Sequence, residues 1–206
     1  MSTNDYSIIA KIYDPLLHYP LKSIRRLVVR LFKYYNVKEV IDLCCGTGEQ
    51  LYYLKNDGFF TKLVGIELDK AMFNESKKYG DFCINRDARN TKFKAESFDG
   101  AIISFALHEM PWENAKEILK EATRILKKDG ILIIVDYSFL KPKLIGKIAI
   151  HLIERFAGKE HYNNFKNFLK NGGIYNLVDF SIYKEKKFFD FYFNTIGVWV
   201  FKKNQN

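Results

Sequence analysis

The feature that most constrains the fold is a glycine turn that directly follows an apolar run. The run, residues 37–43, leads into Cys-Cys-Gly-Thr-Gly at positions 44–48 and then into a second apolar segment. This order predicts a strand, a tight turn and a helix. Gly46 and Gly48 allow the backbone to turn sharply and a ligand to approach the main chain at the helix N-terminus.

Two details of the turn favour a ligand with a cationic centre over a dinucleotide. The dinucleotide fingerprint needs a small residue three places after its second glycine, where helix and strand pack closely, and here that place is Leu51. Asp42 lies just before the turn, where its carboxylate would repel a pyrophosphate. We therefore expect a cofactor with an amino-acid end and a positive centre.

The turn resembles the first motif, Asp-x-Gly-x-Gly-x-Gly, of class I S-adenosylmethionine-dependent methyltransferases. Cys44 replaces the first glycine, and because cysteine has a Cβ we expect residue 44 to keep a negative φ. Cys-Cys-Gly-Thr-Gly is similar to the variant found in menaquinone and ubiquinone C-methyltransferases. The resemblance implies S-adenosyl-L-methionine as cofactor. It also implies a doubly wound, Rossmann-like α/β fold with a seven-stranded sheet of order 3-2-1-4-5-7-6, an antiparallel last strand and a helical insertion before strand 6.

Acidic residues follow the next two predicted strands. Glu67 ends the second, 25 residues after Asp42, and its carboxylate offers two acceptors to the hydroxyls of a ribose. We expect Asp69 to cap the following helix. The resemblance places Asp87 at the adenine amino group and Ala88 at the ring. The predicted cofactor-binding set is Asp42, Cys44, Gly46, Thr47, Gly48, Glu67, Leu68, Asp87, Ala88 and Ser104.

The apolar run at 101–107 is predicted as a central strand, and it ends in His108-Glu109-Met110-Pro111. Ligands of doubly wound sheets bind outside the carboxyl ends of the strands, so this segment is expected to face the reaction site. Base amino-methyltransferases resemble one another in carrying Asn-Pro-Pro-Tyr or Asp-Pro-Pro-Tyr here. Its absence argues against base methylation, whereas Ala-Leu-His-Glu resembles small-molecule and lipid methyltransferases.

The chain is predicted to be a single methyltransferase domain, 1–206, with three parts. Residues 1–36 are predicted as lid helices, one of which ends at Asp14 because Pro15 follows it. Residues 37–137 are the cofactor-binding core, and 138–206 are acceptor-pocket helices and closing strands. The apolar stripe of 21–35 either faces the core or lies on anionic lipid. By resemblance Tyr13 lies near cofactor and acceptor, or else it fastens the N-terminus to the sheet.

Methyl transfer depends mainly on positioning, and the acceptor decides whether a base is needed. A quinol ring carbon becomes nucleophilic when its phenol is deprotonated, which suits a histidine with a pKa near neutrality. The candidate catalytic residues are His108, His161 and Tyr13, with Tyr162 orienting the acceptor. The alternative for His108 is a strand-end residue bonded to the backbone, and His151 is expected to be partly buried and hydrogen-bonded.

The composition limits partners and setting. The formal charge of +9 is compatible with acidic partners, and 16% aromatic residues suit either an apolar pocket or the core. The three cysteines have no ligand spacing, so we predict no metal site and a reducing, cytoplasmic setting. The chain has no signal pattern and no apolar run of spanning length, so any membrane contact would be peripheral.

The predicted function is S-adenosylmethionine-dependent methylation of an apolar or aromatic small molecule, with C-methylation of a quinone precursor as the first hypothesis. The alternative is N- or O-methylation of a lipid head group or metabolite. An RNA or protein methyltransferase and a cofactor-binding protein without catalysis rank lower. Basic residues are spread along the chain without an aromatic-basic cluster, so no specific nucleic-acid partner is predicted. No oligomeric state is predicted.

Overall fold

A computed structural model describes residues 3–138 and 142–205, with side chains from His18 onward. Its strands are β1 Glu39–Leu43, β2 Lys62–Glu67, β3 Cys83–Asn85, β4 Phe98–Ser104, β5 Leu126–Tyr137, β6 Tyr183–Phe191 and β7 Ile196–Lys203. They form one sheet of order β3-β2-β1-β4-β5-β7-β6. β1 to β5 are parallel, and β7 is antiparallel to both of its neighbours. The predicted strand order is therefore confirmed.

Seven helices surround this sheet in the described part of the chain. They are α1 Thr3–Tyr34, α2 Glu49–Asp57, α3 Lys70–Ser76, α4 Trp112–Ile125, α5 Leu144–Phe156, α6 Lys159–Lys170 and α7 Ile174–Leu177. The last three stand between β5 and β6, where the helical insertion was predicted. None of the described helices is long and apolar enough to cross a membrane.

The N-terminal segment differs from the prediction, because α1 continues through Pro15 and Pro20 as one helix. The expected end at Asp14, and hence the expected set of separate lid helices, is wrong. The residue before a proline is biased away from helix, but the bias is a preference that packing can overcome. The second half of α1 buries an apolar stripe, which confirms the core-facing interpretation of 21–35: Leu21, Ile24, Val28, Leu31 and Phe32.

The central strands are buried on both faces, as parallel strands covered by helices are. Along β4, Ala101 and Ile103 face one core cluster while Ile102 faces the other, because side chains alternate across a strand. The first cluster packs against α4 and α7, and the second against α1, α2 and α5. With both faces covered, the carboxyl ends of β1, β2, β4 and β5 provide the accessible edge for a ligand.

Candidate active site

The turn after β1 is held by backbone hydrogen bonds on both sides. Cys45 N donates to Ile66 O at 3.0 Å, and Gly48 N donates to Cys45 O at 2.9 Å. Within this frame Cys44 has φ +67°, so the expected negative φ is wrong. A left-handed conformation costs a residue with a Cβ about 1–2 kcal/mol, which the surrounding hydrogen bonds offset. The small side chain limits the strain at the place where the family has glycine.

Close packing at the turn depends on a glycine that the fingerprint does not contain. A Cβ added to Gly65 on β2 would lie 2.6 Å from Cys45 Sγ and 2.7 Å from Leu51 Cδ1. The room for Leu51 therefore comes from the neighbouring strand, not from a small residue on α2 itself. This is why the larger side chain is compatible with a tight strand-turn-helix unit.

Glu67 links the turn to the end of β2. One carboxylate oxygen accepts a hydrogen bond from Gly46 N at 2.7 Å, and the other accepts one from Asp69 N at 2.8 Å. Burial raises the pKa of Glu67, and the two backbone donors act in the opposite direction. Each carboxylate oxygen can accept more than one hydrogen bond, so the group retains capacity for ligand hydroxyls. Asp69 caps α3 through Ala71 N and Met72 N, as predicted.

Asp87 lies beyond β3 with a partner that the sequence analysis did not foresee. Its carboxylate pairs with the Arg89 guanidinium at 2.6 Å, and this pairing lowers the pKa of Asp87. Ala88 beside it is buried. Six of the ten predicted cofactor residues line one cleft of about 600 Å³: Cys44, Glu67, Leu68, Asp87, Ala88 and Ser104.

A smaller cavity of about 60 Å³ lies at the other side of the turn, lined by Asp42, Cys44, Gly46, Thr47 and Ser104 together with residues of α1 and α2. Of the ten predicted residues, only Gly48 lines neither cavity, and it forms the N-cap of α2.

Three ionisable side chains that line this small cavity have a buried atom without a hydrogen-bond partner among the described residues: Arg25 Nη1, Asp42 Oδ1 and Glu49 Oε2. Asp42 is 1% exposed, and burial raises its pKa well above the usual range. Arg25 pairs through its other terminal nitrogen with Glu49 at 2.7 Å. Glu49 Oε2 is the atom that faces this nitrogen, so it has an ion-pair partner. Unsatisfied buried polar groups are costly, and a ligand with one ammonium and one carboxylate group would satisfy Asp42 Oδ1 and Arg25 Nη1. The cavity therefore fits the amino-acid end of S-adenosylmethionine.

No motif in the sequence singles out Arg25, which lies in the segment 21–35 beside the apolar stripe. An arginine beside an apolar stripe gives the same pattern whether it is exposed or buried, so the sequence carried no signal for it.

A third, mainly apolar cavity of about 490 Å³ lies under α5, and His161 is among the residues that line it. Phe105 lines all three cavities and therefore marks the point where they meet. It follows β4 directly, has φ +52°, and donates its N–H to Val135 O at 2.7 Å. Strained residues held by their surroundings are frequent at functional sites. No motif in the sequence singles out this phenylalanine.

His108 is 2% exposed, and its Nδ1 lies 2.6 Å from Asp136 Oδ1. The partner is thus a carboxylate, so the alternative of a backbone partner is wrong. Burial lowers the pKa of His108, but Asp136 and the nearby Glu109 and Glu154 raise it to about 9 overall. The expected pKa near neutrality is therefore wrong for this residue, which lines none of the three cavities.

His161 lies beside His108, with 5.7 Å between the ring centroids. Its Nε2 is 3.0 Å from Glu154 Oε2 and 3.7 Å from Glu109 Oε1. Burial lowers the pKa of His161, and the two carboxylates more than compensate. The structure therefore brings both candidate histidines into one cluster with two carboxylates.

Of the two candidate tyrosines, only Tyr162 has a described side chain, and it contacts His151. Tyr162 Oη is 3.2 Å from His151 Nδ1, so its hydroxyl is directed to that ring, and His151 is partly buried and hydrogen-bonded as predicted. Tyr13 belongs to α1, but its side chain lies outside the described residues.

A family model described as a methyltransferase domain matches residues 41–134, a segment that starts within β1, includes the glycine turn and ends within β5. With the strand order and the cofactor cleft, this match shows that the chain belongs to the class I S-adenosylmethionine-dependent methyltransferases. S-adenosylmethionine is accordingly its cofactor.

Three proteins illustrate what this chain is similar to. The protein MJ1252 of Methanocaldococcus jannaschii is 34% identical, over 90% of this chain and 69% of its own length. The demethylmenaquinone methyltransferase of Thermotoga maritima is 28% identical, over 78% of this chain and 65% of its own length. Among solved structures, the PH0226 protein of Pyrococcus horikoshii has a TM-score of 0.65 at 18% identity, covers 91% of both chains, and shares the fold.

Proposed function

We propose that this methyltransferase methylates a ring carbon of a quinol-type aromatic molecule that carries an apolar substituent. The observation that carries the proposal is the apolar cavity under α5, which meets the cofactor cleft at Phe105 and has a histidine-carboxylate cluster in its wall. A cavity of about 490 Å³ lies within the size range of small-molecule sites. The similarity to demethylmenaquinone methyltransferases supports the same acceptor class.

The lining of the cavity suits an acceptor that is apolar over most of its surface. Ile150 and Ile196 are buried in its wall, whereas Ile153 and Phe193 are more than half exposed at its outer side. The polar groups are concentrated at one end, where Glu109, Glu154 and His161 line the same space. An aromatic ring with hydroxyl groups at one end and a hydrocarbon tail at the other matches this division.

The residues of the chain position and activate the acceptor. S-adenosylmethionine, when bound, supplies an electrophilic methyl group on a sulfonium. The face of Phe105 can attract a positive centre at the junction of the cavities. The polar end of the cavity accepts hydrogen bonds from a phenolic hydroxyl, which increases the electron density at the neighbouring ring carbon. The apolar lining excludes water, which would otherwise compete for the polar groups.

We further propose that the acceptor arrives from an anionic membrane surface. The outer face of α5 leaves large apolar side chains in solvent: Leu144, Ile145, Ile148, Leu152, Ile153 and Phe156. Exposed apolar surface of this extent usually contacts a partner or a membrane. Lys143, Lys147 and Arg155 lie on or beside the same helix, as expected for a helix that rests on anionic lipid. The apolar face continues into the cavity through Ile153 and Phe193, so a quinol tail could pass from lipid to the site.

Labelled product analysis tests this proposal. The protein is incubated with methyl-labelled S-adenosylmethionine and vesicles that contain a demethylated quinol and phosphatidylethanolamine. Label on a quinol ring carbon is the expected result. Label on phosphatidylethanolamine alone would overturn the quinol acceptor and support the alternative, methylation of a lipid head group.

A further inference from the structure

The cluster at the polar end of the acceptor cavity has the composition of a metal site. We propose that His108, His161, Glu109 and Glu154 bind one divalent transition-metal ion, of which Zn²⁺ is the first candidate. Imidazole nitrogens and carboxylate oxygens are ligands of zinc, and two histidines with a carboxylate are a known catalytic set. The four residues come from the segment after β4 and from α5 and α6.

The distances between the donor atoms fit a single ion. One donor atom from each of His108, Glu109 and His161 lies within 4.8 Å of the other two. His108 Nε2 is 3.9 Å from Glu109 Oε1 and 3.8 Å from Glu154 Oε1. The shortest separation is 3.0 Å, between His161 Nε2 and Glu154 Oε2. Tetrahedral ligands at zinc bond lengths are about 3.4 Å apart, so small movements would complete the site.

The closest pair of atoms in the cluster points independently to a bound cation. Glu154 is 3% exposed, and neither its Oε2 nor His161 Nε2 has an aligned hydrogen-bond partner among the described residues, although the two atoms are 3.0 Å apart. The two atoms form a close ion pair, but a buried carboxylate oxygen without an aligned donor remains costly. Close approach without hydrogen-bond alignment is expected of two ligands that are directed at one ion.

A second set of residues orients the ligands, as in established metal sites. Asp136 Oδ1 holds His108 Nδ1 at 2.6 Å, which directs the other ring nitrogen, Nε2, into the cluster. Tyr137 Oη donates to Glu154 Oε1 at 2.7 Å. A carboxylate-histidine pair facing a metal fixes the tautomer and raises the basicity of the ligand nitrogen. This assigns Asp136 and Tyr137 a positioning role.

The ion would face the acceptor cavity, because Glu109, Glu154 and His161 all line it. A Lewis acid there would bind a phenolic oxygen and stabilise its negative charge, which activates the neighbouring ring carbon. This catalytic role rests on the proposed function, whereas metal binding does not. The test of metal binding therefore uses no acceptor. Its result does not decide whether the methyl acceptor is a quinol, and the labelling experiment does not decide whether a metal binds.

Metal binding is tested on the full chain after removal of metals by a chelator. Zn²⁺ alone is titrated calorimetrically, and Co²⁺ alone is followed by its visible absorption. One ion per chain and a cobalt spectrum with nitrogen and oxygen ligands are expected. In His161→Gln, the affinity for Zn²⁺ is expected to fall at least about 100-fold. Loss of a residue that only orients a metal ligand already lowers affinity by up to about that factor, and His161 would be a ligand itself. His151→Asn, which changes the neighbouring histidine on α5, is the matched control and retains binding.

S-adenosylhomocysteine binding is measured for every variant, so that loss of the fold is distinguished from loss of the metal. Glu154→Gln is the second variant, since it removes the buried ligand charge but retains an acceptor for Tyr137. The proposal is overturned if the parent chain does not become saturated with Zn²⁺. It is also overturned if both His161→Gln and Glu154→Gln bind Zn²⁺ as tightly as the parent chain. In that case the carboxylates are balanced by protonated histidines.

Discussion

The replacement Glu67→Gln tests the assignment of the cofactor cleft most directly. In the parent chain each carboxylate oxygen accepts a backbone N–H, from Gly46 at 2.7 Å and from Asp69 at 2.8 Å. The glutamine amide has the same shape but replaces one acceptor with a donor. One of the two N–H groups then faces another donor, and the cofactor loses one acceptor for its ribose hydroxyls.

The expected magnitude follows from these contacts. One hydrogen bond to a charged group contributes about 1.5–3 kcal/mol, which corresponds to a loss of about 10- to 150-fold in affinity. The unsatisfied backbone N–H lowers the free energy of unfolding by about 1–3 kcal/mol. Affinity for S-adenosylhomocysteine is measured by calorimetry, and stability by urea unfolding.

Glu75→Gln is the matched control for this prediction. Glu75 lies on α3 and pairs with Lys78 at the surface, at 3.4 Å. Surface pairs of this kind contribute about 0–1 kcal/mol, so neither affinity nor stability should change appreciably. If folded Glu67→Gln binds S-adenosylhomocysteine within about threefold of the parent chain, a difference of under 1 kcal/mol, the ribose assignment is refuted.

The remaining predictions concern stability and the outer surface. Burial raises the pKa of Glu121, but hydrogen bonds from Arg124 and Thr91 lower it to about 2. Because this pKa is lower in the fold than in the unfolded chain, the ionised carboxylate stabilises the fold at pH values above the ordinary carboxyl pKa. Roughly 2 kcal/mol of the free energy of unfolding, after allowance for the half-exposed Arg124, is therefore lost as the pH falls from about 4.5 to about 2. Urea unfolding should show that Glu121→Gln lacks this pH dependence. Gly65→Ala places a Cβ within 2.9 Å of three side-chain atoms and should cost about 1–3 kcal/mol by the same assay. Phe156→Ser removes an 88% exposed side chain from α5 and should weaken sedimentation with phosphatidylglycerol vesicles about tenfold or more, with unchanged stability.

Each of these predictions has a contrary outcome. Glu113→Gln, an exposed glutamate on the same helix as Glu121, should keep the pH dependence of the parent chain, and equal behaviour of the two variants would contradict the account of Glu121. For Gly65→Ala, parental stability would mean that the turn and α2 can shift freely. Tyr34→Ser removes an exposed aromatic side chain from α1, and an equal loss of vesicle binding there would show that α5 is not the contact surface.

The order of the sheet and the carboxylates at its edge could be read from the sequence, because strand ends and turns carry local signals. Glu67 and Asp69 were found by counting from the apolar run of β2, and both lie at the expected strand end. The prediction of a negative φ for Cys44 was wrong because hydrogen bonds to β2 and within the turn set this angle. These bonds overcome the intrinsic preference of the residue. α1 likewise continues through Pro15, against the local preference of the residue before a proline.

The chemistry of the histidines could not be read from the sequence. His108 was correctly expected at the end of β4, but its partner Asp136 is 28 residues away along the chain, and the contact depends on how β4 and β5 align. Glu154 and His161 reach the same place from the insertion. A search for neighbouring metal ligands in the sequence cannot find a cluster that is assembled from three separate segments.

The insertion α5 to α7 has a consequence for how this scaffold can diversify. Glu67, Asp69 and Asp87 line the cofactor cleft and all come from before residue 90, whereas α5 and α6 supply part of the acceptor-cavity wall and two members of its polar cluster. Replacing those helices in an ancestor would change which molecule receives the methyl group and leave the binding of the methyl donor unchanged. New substrates could thus be acquired by exchanging one contiguous stretch of gene.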